Sequence, residues 1–262
     1  MRTTGAVLLV LLTVGVSSVL AQRRGFGGYG GRNRREAIQP NPPYDGRFSF
    51  VRLRYGPDYG FVAQSIPWSH DYPTGEQHFM KILNELSYLS PHIEETNILG
   101  FDDPEIFKYP VAYMAEPGFL TLTDGEVAAF RTYLLKGGFV IFDDFREREG
   151  HWDNLQEQMR RVLPEARWIE IDDGRQPIWH SFFEIPNPRA LAPPPIYDQS
   201  MVLTYWGIFE NNDPSKRLIA VANVNNDISE YWEFSDTGFA PVDLNNEAYK
   251  YGVNYVIYGI TH

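Results

Sequence analysis

Three short clusters of polar residues hold the side chains best suited to bind a ligand or to move a proton. One cluster contains two adjacent carboxylates, and another contains a histidine next to an aspartate. Carboxylates held close together share a proton or bind a cation, because each negative charge disfavours ionisation of the other group. Adjacent residues on a strand point to opposite faces, so we expect only one carboxylate of the pair to enter a given pocket. The clusters are Asp143-Asp144, His70-Asp71-Tyr72 and Asn225-Asn226-Asp227.

The carboxylate pair ends a segment that predicts one complete β-α-β unit. Apolar residues 111–114 are typical of a buried strand, and Thr123 and Glu126 have the spacing of a capping box at the start of a helix. Two glycines end that helix, and residues 139–142 begin a second strand that is apolar on both faces. Buried strands joined by a helix are normally parallel, so the carboxylate pair is expected at the carboxyl edge of a sheet.

Apolar patterns elsewhere predict further strands interleaved with helices. This order indicates the α/β fold class, with a mostly parallel open sheet and helices on both faces. One helix should begin with a capping box formed by Thr74 and Gln77. The predicted strands span about 48–55, 167–171, 202–208 and 218–222, and the other predicted helices span 152–163 and the residues from about 243 onward.

In such a sheet the three polar clusters should meet at one carboxyl edge, where α/β sheets bind ligands. The alternative is that each cluster only forms a turn, because Asp and Asn hydrogen-bond to the local backbone. For ligand binding we select the residues of the three clusters that could line a pocket, together with one aromatic residue farther along the chain. These residues are Tyr72, Asp143, Asp144, Asn225, Asn226, Asp227 and Trp232.

The signatures of several enzyme classes are missing from the sequence. It contains no cysteine, which excludes a cysteine nucleophile and thiolate metal ligands. It also lacks an HExxH or GxSxG motif, and its Gly-rich segment 25–31 does not lie between a strand and a helix. We therefore predict neither a metal site nor a cofactor, although a zinc site that combines Asp143 or Asp144 with one or two histidines is an alternative. If the protein is an enzyme, the catalytic candidates are Asp143, Asp144, His70 and His180.

The N-terminus predicts export. Arg2 precedes an apolar run over 6–16, and Ala21 ends the segment in the pattern that a signal peptidase cleaves, so residues 1–21 are interpreted as a signal peptide. The alternative is an uncleaved membrane anchor. Residues 22–47 should form a flexible Gly/Arg-rich tail and linker, and residues 48–262 a single α/β domain. The location is then periplasmic or extracellular, without a lipoprotein anchor and without a membrane span after signal cleavage.

The charge of the chain disfavours nucleic acid as a partner. Six of its 23 basic residues precede Glu36, whereas all 34 acidic residues lie from Glu36 onward, so that part carries a formal charge of −17. A strongly acidic body repels the phosphate backbone. The predicted partner is instead an unidentified envelope component or a small ligand, and no oligomeric state is predicted.

The predicted domain carries a set of short motifs that can be compared with known families. These motifs are Tyr109-Pro110, Glu116-Pro117-Gly118, Leu122-Thr123 with Glu126, Tyr133-Leu134, Gly137-Gly138-Phe139, Asp143-Asp144, His180-Ser181-Phe182-Phe183, Asn223-Val224-Asn225-Asn226-Asp227, Trp232-Glu233, and Gly252-Val253-Asn254 with Tyr258. Together they resemble one bacterial family, known only as domain of unknown function 4159. The resemblance covers about residues 48–262 and implies a flavodoxin-like α/β sandwich similar to class I glutamine amidotransferase-like domains. It does not imply amidotransferase activity, because those enzymes use a cysteine nucleophile.

These observations favour an exported ligand-binding or interaction module of the bacterial cell envelope that does not use thiol chemistry. One alternative is a carboxylate- or metal-dependent hydrolase that acts on a glycan or a peptide, since paired carboxylates serve glycoside cleavage. Another alternative is a structural scaffold of an envelope assembly.

Overall fold

Strands and helices alternate along the part of the chain that the computed structural model describes, which comprises residues 35–63 and 65–262. The strands are β1 (Glu36–Ala37), β2 (Val51–Arg54), β3 (Phe61–Val62), β4 (Asn97–Gly100), β5 (Val111–Ala115), β6 (Phe139–Phe145), β7 (Trp168–Glu170), β8 (Thr204–Phe209) and β9 (Leu218–Val224). The α-helices are α1 (Thr74–Leu86), α2 (Asp124–Leu135), α3 (His151–Val162), α4 (Ile228–Glu233) and α5 (Val242–Thr261).

Seven strands form one open sheet in the order β4-β2-β5-β6-β9-β8-β7. The first five of these run parallel to one another, and β8 and β7 are antiparallel additions at one edge. The parallel strands have the flavodoxin-like order 2-1-3-4-5 when they are counted along the chain. In that order the connections leave β2 and β5 in opposite directions, which opens a crevice above their carboxyl ends. The predicted α/β fold class with a mostly parallel open sheet is confirmed.

Helices cover both faces of the sheet because its central strands are apolar on both sides. Val140 and Phe142 of β6 pack in one core cluster with residues of α2 and α3, whereas Phe139 and Ile141 pack in a second cluster with residues of α1, α4 and α5. Strands buried on both faces read as continuous apolar runs, which explains why the sequence identified β5, β6 and β9 most clearly.

The local signals for helix starts had mixed outcomes. The capping box at Thr123 and Glu126 is present in both directions, and Gly137 adopts a φ of 112° just after the end of α2. The capping box predicted at Thr74 was wrong: Pro73 occupies the N-cap position, and the side chain of Gln77 bonds instead to the carbonyl of Glu94. Strand β4 and helix α4 were not predicted, because both are short.

The predicted signal peptide, residues 1–21, and residues 22–34 of the predicted tail lie outside the described residues. Residues 36–262 form one compact unit. Within it, β1 pairs antiparallel with β3, and the side chain of Asn41 exchanges hydrogen bonds with the backbone of Ile98 in β4. None of the helices in the described part of the chain is long and apolar enough to span a membrane.

Candidate functional site

Side chains from all three predicted clusters meet at the carboxyl edge of the sheet. One potential ligand atom from each of His70, Asp71, Asp144 and Asp227 lies within 4.8 Å of the others. The three aspartates are at most 2 % exposed, whereas 29 % of the His70 side chain is exposed. These four residues are named here the acidic centre. Its aspartates are buried, and the centre is accessible to solvent at His70.

The His70 ring lies between two carboxylates that have no other partner on that side. Its Nδ1 atom is 2.8 Å from Oδ2 of Asp144 and 3.1 Å from Oδ1 of Asp71. Apart from these two ion-pair contacts, none of the three buried atoms has a hydrogen-bond partner. The charge of Asp71 raises the pKa of His70, and in return His70 overcomes the effect of burial on Asp71 and lowers the pKa of that carboxyl to about 2.

Two hydroxyl groups hold the opposite sides of the three carboxylates. The Tyr197 hydroxyl lies 2.8 Å from Oδ1 of Asp144 and 2.9 Å from Oδ2 of Asp227. The Ser229 hydroxyl contacts Oδ2 of Asp71 and, at 3.0 Å, Oδ1 of Asp227. A hydroxyl carries a single proton, and the Glu230 amide also donates to Oδ1 of Asp227, so three protons serve four carboxylate oxygens. Burial and the charge of Asp144 raise the pKa of Asp227 well above its usual range.

Asp143 lies beside the acidic centre and is held by a separate set of donors. Its carboxylate accepts hydrogen bonds from the side chains of Tyr113 and Asn223 and from the backbone amides of Ile228 and Ser229. Burial raises its pKa to about 7, although these hydrogen bonds oppose the increase. Asp143 thus connects β5, β6, β9 and α4, whereas Asp144 contributes its carboxylate to the acidic centre.

Left-handed backbone conformations are concentrated around the site. Asp71, Glu116, Asp144 and Asn225 have φ values of 63°, 45°, 58° and 63°. Each lies just beyond or at the end of a parallel strand or in the loop before α1, and the pairing of β6 with β9 is irregular between Phe142 and Phe145. Non-glycine residues adopt this conformation only when surrounding contacts enforce it, and such residues cluster at functional sites. The irregularity turns Asp144 into the acidic centre.

A buried ion pair supports the loop that carries His70 and Asp71. Arg52 of β2 and Glu76 of α1 are 0 % and 1 % exposed and form a direct salt bridge. The same guanidinium donates hydrogen bonds of 3.0 and 2.8 Å to the carbonyls of Trp68 and His70. Because Arg52 bonds to both α1 and the loop, it positions His70 relative to the sheet.

Further carboxyl groups surround the centre. Glu230 and Glu233 have oxygens within 4.8 Å of an oxygen of Asp71. Burial and the charge of Asp71 raise the pKa of both to about 8, and burial with the charge of Asp144 raises the pKa of Glu116 to about 7. Near neutral pH these carboxyl groups are therefore partly or largely protonated when no cation is bound.

The other residues selected from the sequence are not in the acidic centre. The Asn225 side chain joins the backbone of Glu147 and Val202, and the Asn226 amide bonds to Tyr205 and to the next backbone amide. Trp232 is buried and stacked on Phe79. Of the other selected residues, Tyr72 packs against the first core cluster. The ring of His180 contacts Glu184 and the carbonyl of Gly174.

Sequence reasoning missed several residues that shape the site. Tyr197 comes from a Pro-rich loop that carries no recognisable motif, whereas Ser229 and Glu230 follow Asp227 in the spacing of a helix cap, a signal that was available. A surface cavity of about 450 Å³ lies at the opposite, amino edge of the sheet, between the ends of α2 and β8, and no predicted site residue lines it.

Comparison with known proteins identifies a family for this chain, and the description of that family names no activity. No curated protein of known function matches the chain. One family model, described as domain of unknown function (DUF4159), matches residues 49–260. The match includes every strand of the seven-stranded sheet and all four residues of the acidic centre. The chain therefore belongs to the DUF4159 family.

Proposed function

We propose that this protein is an exported α/β module of the bacterial cell envelope that binds a cationic ligand at the acidic centre. The observation that carries the proposal is the convergence of three buried carboxylates and one imidazole, with acceptor oxygens of Asp71 and Asp144 that lack hydrogen bonds. Burying uncompensated carboxylates is unfavourable, so a site of this kind favours a partner that brings positive charge.

The proposed location rests on the N-terminal sequence. Arg2, the apolar run over 6–16 and the small residue Ala21 at the end of the segment support cleavage after residue 21. If the full-length gene is expressed in a bacterial host, the mass of the purified protein should correspond to a chain that begins at Gln22. An intact Met1 would contradict export by this route.

The finer resemblance, to class I glutamine amidotransferase-like domains, is part of the proposal and concerns the fold alone. Members of that class place their site above the carboxyl ends of the parallel strands, as open α/β sheets generally do. The sequence has no cysteine to act as their nucleophile, so the proposed activity is binding and not amide transfer.

Thermal unfolding with a panel of cationic and neutral probes tests the binding function. The panel contains divalent metal ions, spermidine, a cationic peptide and a neutral peptidoglycan fragment, each added to wild type and to Asp144→Asn. We expect at least one cationic probe to raise the Tm of wild type and to leave the variant unchanged, because a ligand stabilises the state that binds it. If no probe distinguishes the two proteins, the binding function is wrong.

A metal-dependent hydrolase is a second candidate, and the donor set favours it. One imidazole and several carboxylates are ligands that hydrolytic zinc sites use. Glycan and peptide hydrolysis assays with added Zn²⁺ test this candidate, which requires an activity that disappears in both Asp144→Asn and His70→Gln.

A further inference from the structure

Two carboxylate oxygens of the acidic centre lie against the same ring nitrogen of His70. Oδ1 of Asp71, Oδ2 of Asp144 and Nδ1 of His70 are buried, mutually close and without a hydrogen bond. Buried polar atoms in folded proteins almost always have a partner. A single cation bound between these atoms would supply a partner to all three.

The protons available at the site do not satisfy the carboxylates. Tyr197 and Ser229 contribute one hydroxyl proton each, and the Glu230 amide a third, to four oxygens, and Ser229 also accepts from Tyr113. The nearby guanidinium of Arg52 is already paired with Glu76, and that of Arg146 lies 4.0 Å from the ring centre of Tyr197. On the side that faces His70, a single imidazole is shared by two carboxylates.

The spacing of the donor atoms fits a first-row divalent metal ion. Four ligands at 2.0–2.2 Å from a tetrahedral zinc ion lie about 3.3–3.6 Å from one another. The contacts of Nδ1 with the two aspartates are 2.8 and 3.1 Å, so small outward shifts would accommodate the ion. A mixed set of imidazole and carboxylate favours Zn²⁺ or Mn²⁺ over Ca²⁺ and Mg²⁺, which prefer oxygen ligands alone.

The hydroxyls of Tyr197 and Ser229 bond to the carboxylates and orient them for such a site. Each of the three carboxylates has an oxygen held by Tyr197 or Ser229, and for Asp71 and Asp144 this leaves the other oxygen directed at His70. Outer hydrogen bonds of this kind orient metal ligands and are part of functional metal sites. The exposed face of the His70 ring provides the route by which the ion enters.

We propose that His70, Asp71, Asp144 and Asp227 bind one Zn²⁺ or Mn²⁺ ion, with Nδ1 of His70 and one oxygen from each aspartate as ligands. This assignment rests on the proposed function and names its cationic ligand. It also replaces our sequence-based prediction of a protein without a metal site.

Titration of the chelator-treated full chain with Zn²⁺ alone, and with Mn²⁺ alone, tests the assignment. Calorimetry should show one equivalent bound per chain, and the electron paramagnetic resonance signal of free Mn²⁺ should decrease with the same stoichiometry. Excess Zn²⁺ should raise the Tm by about 5 °C or more. Ca²⁺ should bind at least tenfold more weakly than Zn²⁺, because it gains little from an imidazole ligand.

Variants separate this site from adventitious binding. Asp144→Asn should abolish the bound equivalent and should leave the metal-free protein at least as stable as wild type, because it removes one repelling charge. His70→Gln, on the partly exposed ligand, should weaken Zn²⁺ binding at least tenfold and should reduce the preference for Zn²⁺ over Ca²⁺. The matched control is Asp198→Asn, an exposed aspartate paired with Arg148, which should bind as wild type does.

The outcomes distinguish the metal site from the broader binding function. Metal binding that persists in Asp144→Asn and His70→Gln, or the absence of any bound equivalent, overturns the metal site. If spermidine or a cationic peptide then stabilises wild type but not Asp144→Asn, the cationic binding function stands without a metal. If no probe does so, both proposals fail.

Discussion

At the scale of single residues, the chemistry of this protein depends on charges that are buried without a full set of partners. The acidic centre is one case, and its carboxylates are held in place by Tyr197, Ser229 and a strained backbone. The ion pair of Arg52 with Glu76 is a contrasting case, because its charges compensate each other and the remaining guanidinium protons bond to carbonyls. The first arrangement is suited to binding, and the second to positioning.

We expect Arg52→Met to destabilise the protein by about 3–5 kcal/mol, because it leaves Glu76 buried without a partner. The double variant Arg52→Met with Glu76→Leu should recover most of this loss, since it removes both charges. Urea denaturation of the four members of the cycle measures the coupling. As a control, Lys108→Met breaks an exposed pair with Glu105 and should change the free energy of unfolding by less than about 1 kcal/mol. A single Arg52→Met variant as stable as wild type would contradict the supporting role of the pair.

At the scale of elements, close packing of α5 against α1 and α4 holds the floor of the site. Gly252 of α5 lies against Trp232 and Phe79, whose rings stack with centroids 4.4 Å apart. A Cβ atom at position 252 would come within 2.5 Å of Trp232 and 2.7 Å of Phe79. Glycine is thus required there by the space available and not by the conformation of the backbone.

Gly252→Ala should therefore reduce the free energy of unfolding by about 1–3 kcal/mol, because overpacking outweighs the gain in helix propensity. The matched change Gly125→Ala lies on an exposed turn of α2, where the nearest atom would be 3.9 Å from the new Cβ. That variant should gain about 0.5 kcal/mol. Thermal and urea unfolding of both variants compare the two effects, and equal stability would exclude tight packing at position 252.

At the scale of the whole molecule, the fold collects the acidic centre and the carboxyl groups around it at the carboxyl edge of an open sheet. The residues from Glu36 onward carry a formal charge of −17. Burial raises the pKa of Asp143, Glu116, Glu230 and Glu233, so without a bound cation the native state holds protons that the unfolded chain has released. Stability should then depend on pH in the direction set by these groups.

For Glu116, the pKa is about 7 in the folded protein and 4.5 without the influence of the fold. The native state binds the proton more tightly, so the contribution of this group to the free energy of unfolding falls as pH rises from about 4.5 to about 7. With a chelator present, the decrease in the free energy of unfolding with rising pH should be about 1–3 kcal/mol smaller for Glu116→Gln than for wild type. Urea unfolding at pH 5 and pH 8 measures it, with the exposed Glu157→Gln as control; parallel pH profiles of wild type and Glu116→Gln would refute the prediction.

The sequence alone determined the α/β class, the β5-α2-β6 unit and the three polar clusters, because apolar periodicity, the capping box at Thr123 and the glycines after α2 are local signals. It could not determine which members of each cluster would meet. Asp144 enters the acidic centre through an irregularity in β6, while Asn225 and Asn226 turn away to bond with neighbouring loops. Tyr197 became a site residue only when distant segments were brought together, whereas the helix-cap spacing after Asp227 already indicated Ser229. Convergence depends on strand order, backbone strain and packing between elements, and these are properties of the tertiary structure.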